Sequence, residues 1–587
     1  MKTHRFRSTR RLAGGLAASF AGLALLTSQS AQAATENWTG LTDGTWGTAG
    51  NWSGSAIPDS TYDLTIAGPG DVAGTALNIN VAAAAAANSI NFTNTAATTL
   101  TNTTSGSNQT LTLSSSGTAI TTGTGAVTIG SSTANQNVNV ALGASQTWNV
   151  GSGGLTATNV ISGSGFGITK SGTGTLTLSG ANTYSGGTTL NAGTIQFSSN
   201  TAFGTGAITV NGGTIKNTAG VTTANNVVVS SGTTTLDVTG GNWQIDGNIS
   251  GSGNITRGTG ATLTLYLNGD NSGYTGTFTS VNNGNSVVRF KNVTAGSANG
   301  KWVFNNATVN RTTMSFGTGT ISFGSMTGAG NVNGDVGGTK TISVGALGLD
   351  DTFSGVINNG VGGSVIALTK VGSGTMTLSG ANAYTSTTTI SAGKLNVTGS
   401  ISGTGAVAVS GGTSTTLGGS GSLAGAVTVT NGSRLAPGVV TSSSNFGSAG
   451  TLTLSNTSGL TLTNANLDFD LSTTFNGSND KITLSGLNAP LSFSTLNFSF
   501  GGTTLDTSTA YTLIATNGTG ALTGDTSTIT TDFSGITGGS YTATYSFTTG
   551  TGLQVTFTAV PEPHEFALAI VALLGVMVFI RRRNQQA

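Results

Sequence analysis

Residues 168–195 and 368–395 carry one phrase twice, ITKSGTGTLTLSGANTYSGGTTLNAGTI and LTKVGSGTMTLSGANAYTSTTTISAGKL, in register at an offset of 200 residues. A decayed third copy lies between them at 255–278, with Arg257 where the others have lysine and Tyr274 after an insertion. Inside each copy, short runs alternate an apolar residue with Thr or Ser, as in Thr175-Leu176-Thr177-Leu178, and Gly, Asn or Ser closes the run. Period two marks a half-buried strand, and Gly and Asn are what tight corners take. Gly206-Ala207-Ile208-Thr209-Val210 and Gly450-Thr451-Leu452-Thr453-Leu454 repeat the pattern outside the copies. Short strands at regular spacing predict an all-β protein, and a recurring unit that cannot bury its own apolar face predicts a stacked β-solenoid.

Glycine at 93 of 587 residues and only 7% charge would also suit a disordered chain. Periodicity decides for the solenoid, and the solenoid explains the composition. Rungs about 4.8 Å apart pair their backbones, corners use Gly and Asn, and outward Thr covers a pleated face without charge. At about 20 to 25 residues per coil this gives on the order of 20 rungs and a rod of roughly 100 Å. Its open ends need caps. Residues 34–75, with three tryptophans, are the expected N-terminal cap, 76–440 the β-helix, and 441–560 its C-terminal coils or cap. Helical signal is confined to the two termini and an alanine run at 82–87.

Lys170, Gly172, Gly174, Leu176, Leu178, Ser179, Gly180, Asn182, Tyr184, Gly186 and Thr188 follow the spacing K-x-G-x-G-x-L-x-L-S-G-x-N-x-Y-x-G-x-T. On these residues the chain resembles the autotransporter-associated β-strand repeat family, which implies a passenger-like, right-handed parallel β-helix. In the second copy Ser386 stands in place of a motif glycine. The run from Gly418 to Gly425 leading to Leu435-Ala436-Pro437-Gly438 is similar to that family's terminal coil. Asp480 to Leu484 with Tyr511 to Ile514 is similar to its C-terminal segment. Trp38, Trp46, Asn51, Trp52, Pro58 and Asp63 resemble its N-terminal region. No translocator barrel follows, so delivery is expected to depend on sorting machinery.

Two terminal segments read as addresses. Lys2, Arg5, Arg7, Arg10 and Arg11, an apolar stretch from Leu12 to Leu26, and Ala31-Gln32-Ala33 make residues 1–33 a signal peptide cleaved before Ala34, with the secretion translocon as partner. Arg10-Arg11 raises the twin-arginine route, but the residues after the pair favour general secretion. Residues 561–587 combine Pro561-Glu562-Pro563, an apolar run from Phe566 to Ile580 and Arg581-Arg582-Arg583. This tail resembles the PEP-CTERM sorting signal of Gram-negative bacteria, which implies an exosortase-type processing enzyme and at least transient contact with the membrane. Fifteen apolar residues at about 1.5 Å each fall short of the roughly 30 Å hydrocarbon core, so a permanent single-span anchor is the less comfortable alternative.

Chemistry between the addresses is sparse. Cysteine is absent and the two histidines are His4 and His564, which leaves no imidazole or thiol for a Ser-His-Asp triad, a histidine zinc site or a disulfide framework. The body, with about −5 formal charge and no basic patch, excludes nucleic acid as a partner. Gly-x-Gly patterns precede strands, which argues against a phosphate cradle. Asp468 and Asp470 flank Phe469 on one strand face, the way β-helix polysaccharide lyases and hydrolases present carboxylates; a solvated strand face is the ordinary alternative. Asp350-Asp351 reads as a turn, and Asp246, Asp270 and Asp335 are scattered candidates for a lone calcium ion. Tyr184, Tyr274 and Tyr384 recur at equivalent positions, either as a sugar-stacking ladder or as corner packing. No catalytic, cofactor or metal residue is assigned. The leading reading is an exported, non-enzymatic surface or extracellular-matrix protein, adhesive or associated with extracellular polysaccharide. The alternatives are a polysaccharide lyase or hydrolase and a glycan-binding module.

Overall fold

The computed structural model describes residues 33–560 except 68–75, 105, 132, 134–135, 259–262, 282–286, 306–311, 442–443 and 473–478, and beyond them 571–574, 576–577 and 581. Alternation in sequence becomes alternation in burial. In Thr175–Leu178 both leucines are buried and both threonines half-exposed, and Val138–Leu142 and Ile208–Val210 do the same. One rung runs Ile168–Ser171, a glycine corner, then Thr175–Leu178. The next rung, Thr188–Leu190 and Thr194–Phe197, lies on it in parallel register about 20 residues on, with Ile168 opposite Thr188 and Leu176 opposite Ile195.

Stacking builds three faces around one continuous apolar core. The first is a ten-stranded parallel sheet from Ala34–Trp38 to Ile249–Ser250. The second begins at Leu77–Asn80 and continues strand on strand to Ile529–Ile536. The third comprises a four-stranded sheet, a seven-stranded sheet from Val221–Thr223 to Ile357–Gly360, and a further sheet beginning at Ala381–Asn382. Beyond Ser250 the first face resumes on longer strands, Ser297–Phe304 and Gly319–Thr327, that bend from it onto the second. Two columns of shorter strands then run side by side and rejoin on the long strand Leu460–Asp470, which pairs with Val427–Val429 at one end and Arg434–Pro437 at the other. The alanine run is not helical. Ala85–Ala87 is a third-face strand opposite Leu111 to Leu113, because stacking on a formed rung outweighs the helical propensity of alanine.

Both described ends of the stack differ from its middle. At the start, Trp38, Trp46 and Trp52 are buried against one another, with the Trp52 ring centroid 5.0 Å from each of the other two in edge-to-face contact. At the finish the pairing changes sense: Tyr541–Thr548 and Gly552–Ala559 form an antiparallel hairpin that adds antiparallel to Tyr511–Thr516. Residues 441–560 thus continue the parallel coils through Leu491–Gly502 and its partner Ile529–Ile536 before this closure. Ala33 adjoins the first strand. Ala31, Pro561, Glu562, Pro563, Arg582 and Arg583 lie outside the described residues, while Arg581 is exposed and helical. Among the described residues no helix is long and apolar enough to cross a membrane.

Candidate functional site

Each repeat copy builds a corner around a buried cation. Alternation puts Lys170 on the inward face with Ile168, where it stacks between Trp148 and Leu190. Its ammonium donates to the carbonyls of Ser171 at 2.7 Å, Gly172 at 2.7 Å and Ala192 at 3.1 Å. Those bonds use all three ammonium donors. Lys370 repeats the arrangement with Val371, Gly372 and Ala392 at 2.7, 2.9 and 3.3 Å. Gly172 has φ +76°, a left-handed backbone suited to glycine, and a Cβ on Gly174 would sit 1.7 Å from the Gly151 carbonyl oxygen of the rung below. The motif glycines are therefore set by backbone shape and by the closeness of the rungs.

The motif Asn and Tyr close the same corner. Asn182 accepts from Ile161 N at 2.7 Å and donates to the Ala202 carbonyl at 2.6 Å, bridging the rungs on either side. Asn271 and Asn382 hold the equivalent bonds. The Tyr184 and Tyr384 hydroxyls bond Thr188 and Thr388 at 2.5 and 2.7 Å. All three repeat tyrosines are at most 1% exposed, so none offers a ring to a sugar and the ladder reading is overturned. In the decayed copy the corner has moved by one face. Arg257 lies on the second face, its guanidinium donating to the Gly258 and Leu263 carbonyls at 2.6 and 3.0 Å. The segment corresponding to Thr175–Leu178 becomes Thr264–Leu267 on the third face.

Burial pushes the Lys170 ammonium down to about 8, and Lys370 also to about 8 against the pull of Asp351 and Asp350. Both values lie below the ordinary 10.5, so between these limits the folded chain holds fewer protons than the unfolded chain. The two lysines then destabilise the fold below about pH 8, and this burden lifts as pH rises towards that of free lysine. The unfolding midpoint of the wild type, measured against a Lys170→Met/Lys370→Met variant, is expected to rise across that window. A constant difference would show that the ammonium groups are not desolvated.

The acidic candidates separate into distinct roles. Asp468 is not on a solvated face: it is 1% exposed, because Arg434 covers it with one guanidinium nitrogen 2.7 and 2.9 Å from its two oxygens. Arg434 is 34 residues away in sequence, yet it lies on the rung immediately below, with Arg434 opposite Asn466. A hairpin of Val439–Thr441 and Ser444–Ser448 packs over this outer surface and seats Phe446 on the bare backbone of Gly501. Burial raises the Asp468 carboxyl, with Arg434 pulling the other way. Asp470 is half-exposed and also raised by burial. Neighbouring Asp480 is pushed up to about 8, foremost by desolvation, while its oxygens accept from Gly450 N and Asp470 N at 2.7 Å each.

Asp350 reaches Thr375 N on the following rung, whereas Asp351 turns back to Ser325 and Met326 on the preceding one. The three calcium candidates lie apart. Asp246 accepts from Gln244 and Asn268, Asp270 from Ser272 N, and Asp335 faces Arg289 at 3.3 Å. Among the described residues no three acidic or histidine side chains are grouped to hold a metal ion.

Sequence reasoning passed over the inward lysines and the half-exposed Tyr266. Both were readable from alternation, since Lys170 shares a face with Ile168 and Tyr266 stands outward between Leu265 and Leu267. No curated protein matches the chain. The family model of the passenger-associated-transport-repeat matches residues 168–197 and 368–397. These are the two lysine corners, so two segments of this parallel β-solenoid are repeats of the autotransporter passenger type.

Proposed function

We propose that this protein is an exported, non-enzymatic shaft that stands at the outer surface or in the extracellular matrix, where it serves adhesion or association with extracellular polysaccharide. The observation that carries the reading is the match of two passenger-type repeats to a continuous parallel solenoid, an architecture of exported, surface-displayed proteins. Right-handed winding fits the strong preference of parallel crossovers for that hand. The buried tryptophans and the antiparallel hairpin would act as the caps such a stack needs.

In this reading residues 1–33 engage the secretion translocon, and cleavage after Ala33 leaves the first strand, Ala34–Trp38, whole. Pro561, Glu562 and Pro563 with Arg581, Arg582 and Arg583 then present the tail to an exosortase-type enzyme. Burial of Asp468 supports a non-catalytic body, since it withdraws one of the two carboxylates that a hydrolase would need. Fractionation of the native host with mass spectrometry of the mature termini tests the proposal. Extracellular or envelope protein beginning at Ala34 and lacking the basic C-terminus is expected; cytosolic protein with both ends intact would overturn it.

A further inference from the structure

On the third face an open cavity of about 290 Å³ spans several rungs of the region where the repeat decays. It is lined by Asn200, Gly220, Thr222, Asn242, Gln244 and Tyr266. Thr222 pairs with Gln244 and Gln244 with Tyr266, so three outward side chains form a column with steps of about 4.8 Å. Tyr266 owes its place to the displaced corner, which moved an outward position from the second face to the third.

The polar groups of this cavity are held with their binding ends turned out. Asn200 accepts from Thr222 N at 2.9 Å and Asn242 from Thr264 N at 2.8 Å. Both spend their amide oxygens on the backbone. Their NH₂ groups, like the Tyr266 hydroxyl, have no protein partner among the described residues. Gln244 donates to Asp246 at 2.7 Å, which leaves its oxygen as an acceptor. Arg289 and Lys291 lie 6.0 and 5.7 Å from the Tyr266 ring centroid, and neither lines the cavity. They support the ring while its remaining surface borders the open space.

Charge decides what such a cavity takes. Arg289 is compensated by Asp335, and the Asp246 carboxylate is bonded to Gln244, one of the lining residues. The body as a whole is slightly acidic. An anionic ligand would meet the Asp246 carboxylate beside the lining, whereas a sugar ring has an apolar C–H face for the tyrosine and a hydroxyl rim for the amides. We infer that this cavity binds a segment of an uncharged polysaccharide chain, with Tyr266 as the stacking platform and Asn200, Asn242 and Gln244 as hydrogen-bonding partners. The inference rests on the matrix reading above and gives it a site and a ligand class.

Affinity electrophoresis of the purified full-length protein through gels containing dextran, β-glucan or galactomannan, with alginate as the acidic comparison, tests this. Retardation by at least one neutral probe is expected, unchanged in about 0.5 M salt because screening has little to remove. Tyr266→Ala should weaken it about tenfold, Tyr266→Phe should stay within about threefold, and Lys291→Gln should have no effect. An Asn242→Ala/Gln244→Ala variant provides a second route should Tyr266→Ala prove unstable, and it too should bind about tenfold more weakly. The inference is overturned if no neutral probe retards the protein, if alginate binds better and is released by salt, or if neither variant loses binding. Matrix location without binding would remove the cavity and leave export standing; binding by a protein confined to the cytosol would do the reverse.

Discussion

Arg434→Met is expected to cost about 3–4 kcal/mol at neutral pH, an unusually large loss for a side chain on an outer face. Arg434 is the direct ion-pair partner of Asp468, whose side chain is fully buried while that of Arg434 is 22% exposed. Removing the cation strands a carboxylate beneath the Val439–Thr441 hairpin. The carboxylate has one escape, taking up a proton, and that caps the cost. From an ordinary value of 3.8 to pH 7 the limit is about 4 kcal/mol, at about 1.4 kcal/mol per pH unit. The deficit should therefore shrink as pH falls towards 4 and vanish below it. Arg434→Met/Asp468→Leu should return close to wild type, since a buried pair replaced by apolar groups is often neutral. Urea unfolding at several pH values checks both, and a single-variant deficit that ignores pH would refute the assignment.

Trp52→Ala is expected to cost about 3–5 kcal/mol, but locally. Trp52 is 1% exposed, touches both other indoles of the cluster, and donates its Nε1–H to the Trp46 carbonyl at 2.9 Å. A solenoid is held rung by rung, so loss at one end frays neighbouring rungs first and leaves distant ones intact. Hydrogen exchange should then accelerate in peptides covering 34–66 while those covering 388–429 keep their protection. Equal acceleration in both would mean that the stack melts as one unit and that the cluster is not an end element.

Fold class was legible because the solenoid uses a period-two pattern that recurs along the stack, from Leu64 and Ile66 to Phe498 and Phe500. Tyr184 and Tyr384 were weighed on spacing alone, and their burial depends on a neighbouring Thr four residues on, which spacing does not reveal. Asp468 was misjudged for a deeper reason. Its partner Arg434 lies one rung below and 34 residues earlier, so a search nearby in sequence could not find it. The alanine run misled because its helical propensity is local, whereas its partners Leu111 and Leu113 are supplied by another rung. Tyr266 escaped notice because the decayed copy was aligned by sequence to its siblings, and the alignment conceals a step from one face to the next.

The change of sense in the final hairpin bears on how copies of this chain meet. A stack that ended on an open coil would offer that coil as a template to the first rung of another molecule, and rods would join head to tail. Here Gly552–Ala559 runs against Tyr511–Thr516 and is itself covered by Tyr541–Thr548, so the edge of this face is the outer arm of a folded-back hairpin and not an open coil. The length of the stack then follows the number of coils laid down before that fold-back, which ties the span of the solenoid to how many repeats the sequence encodes.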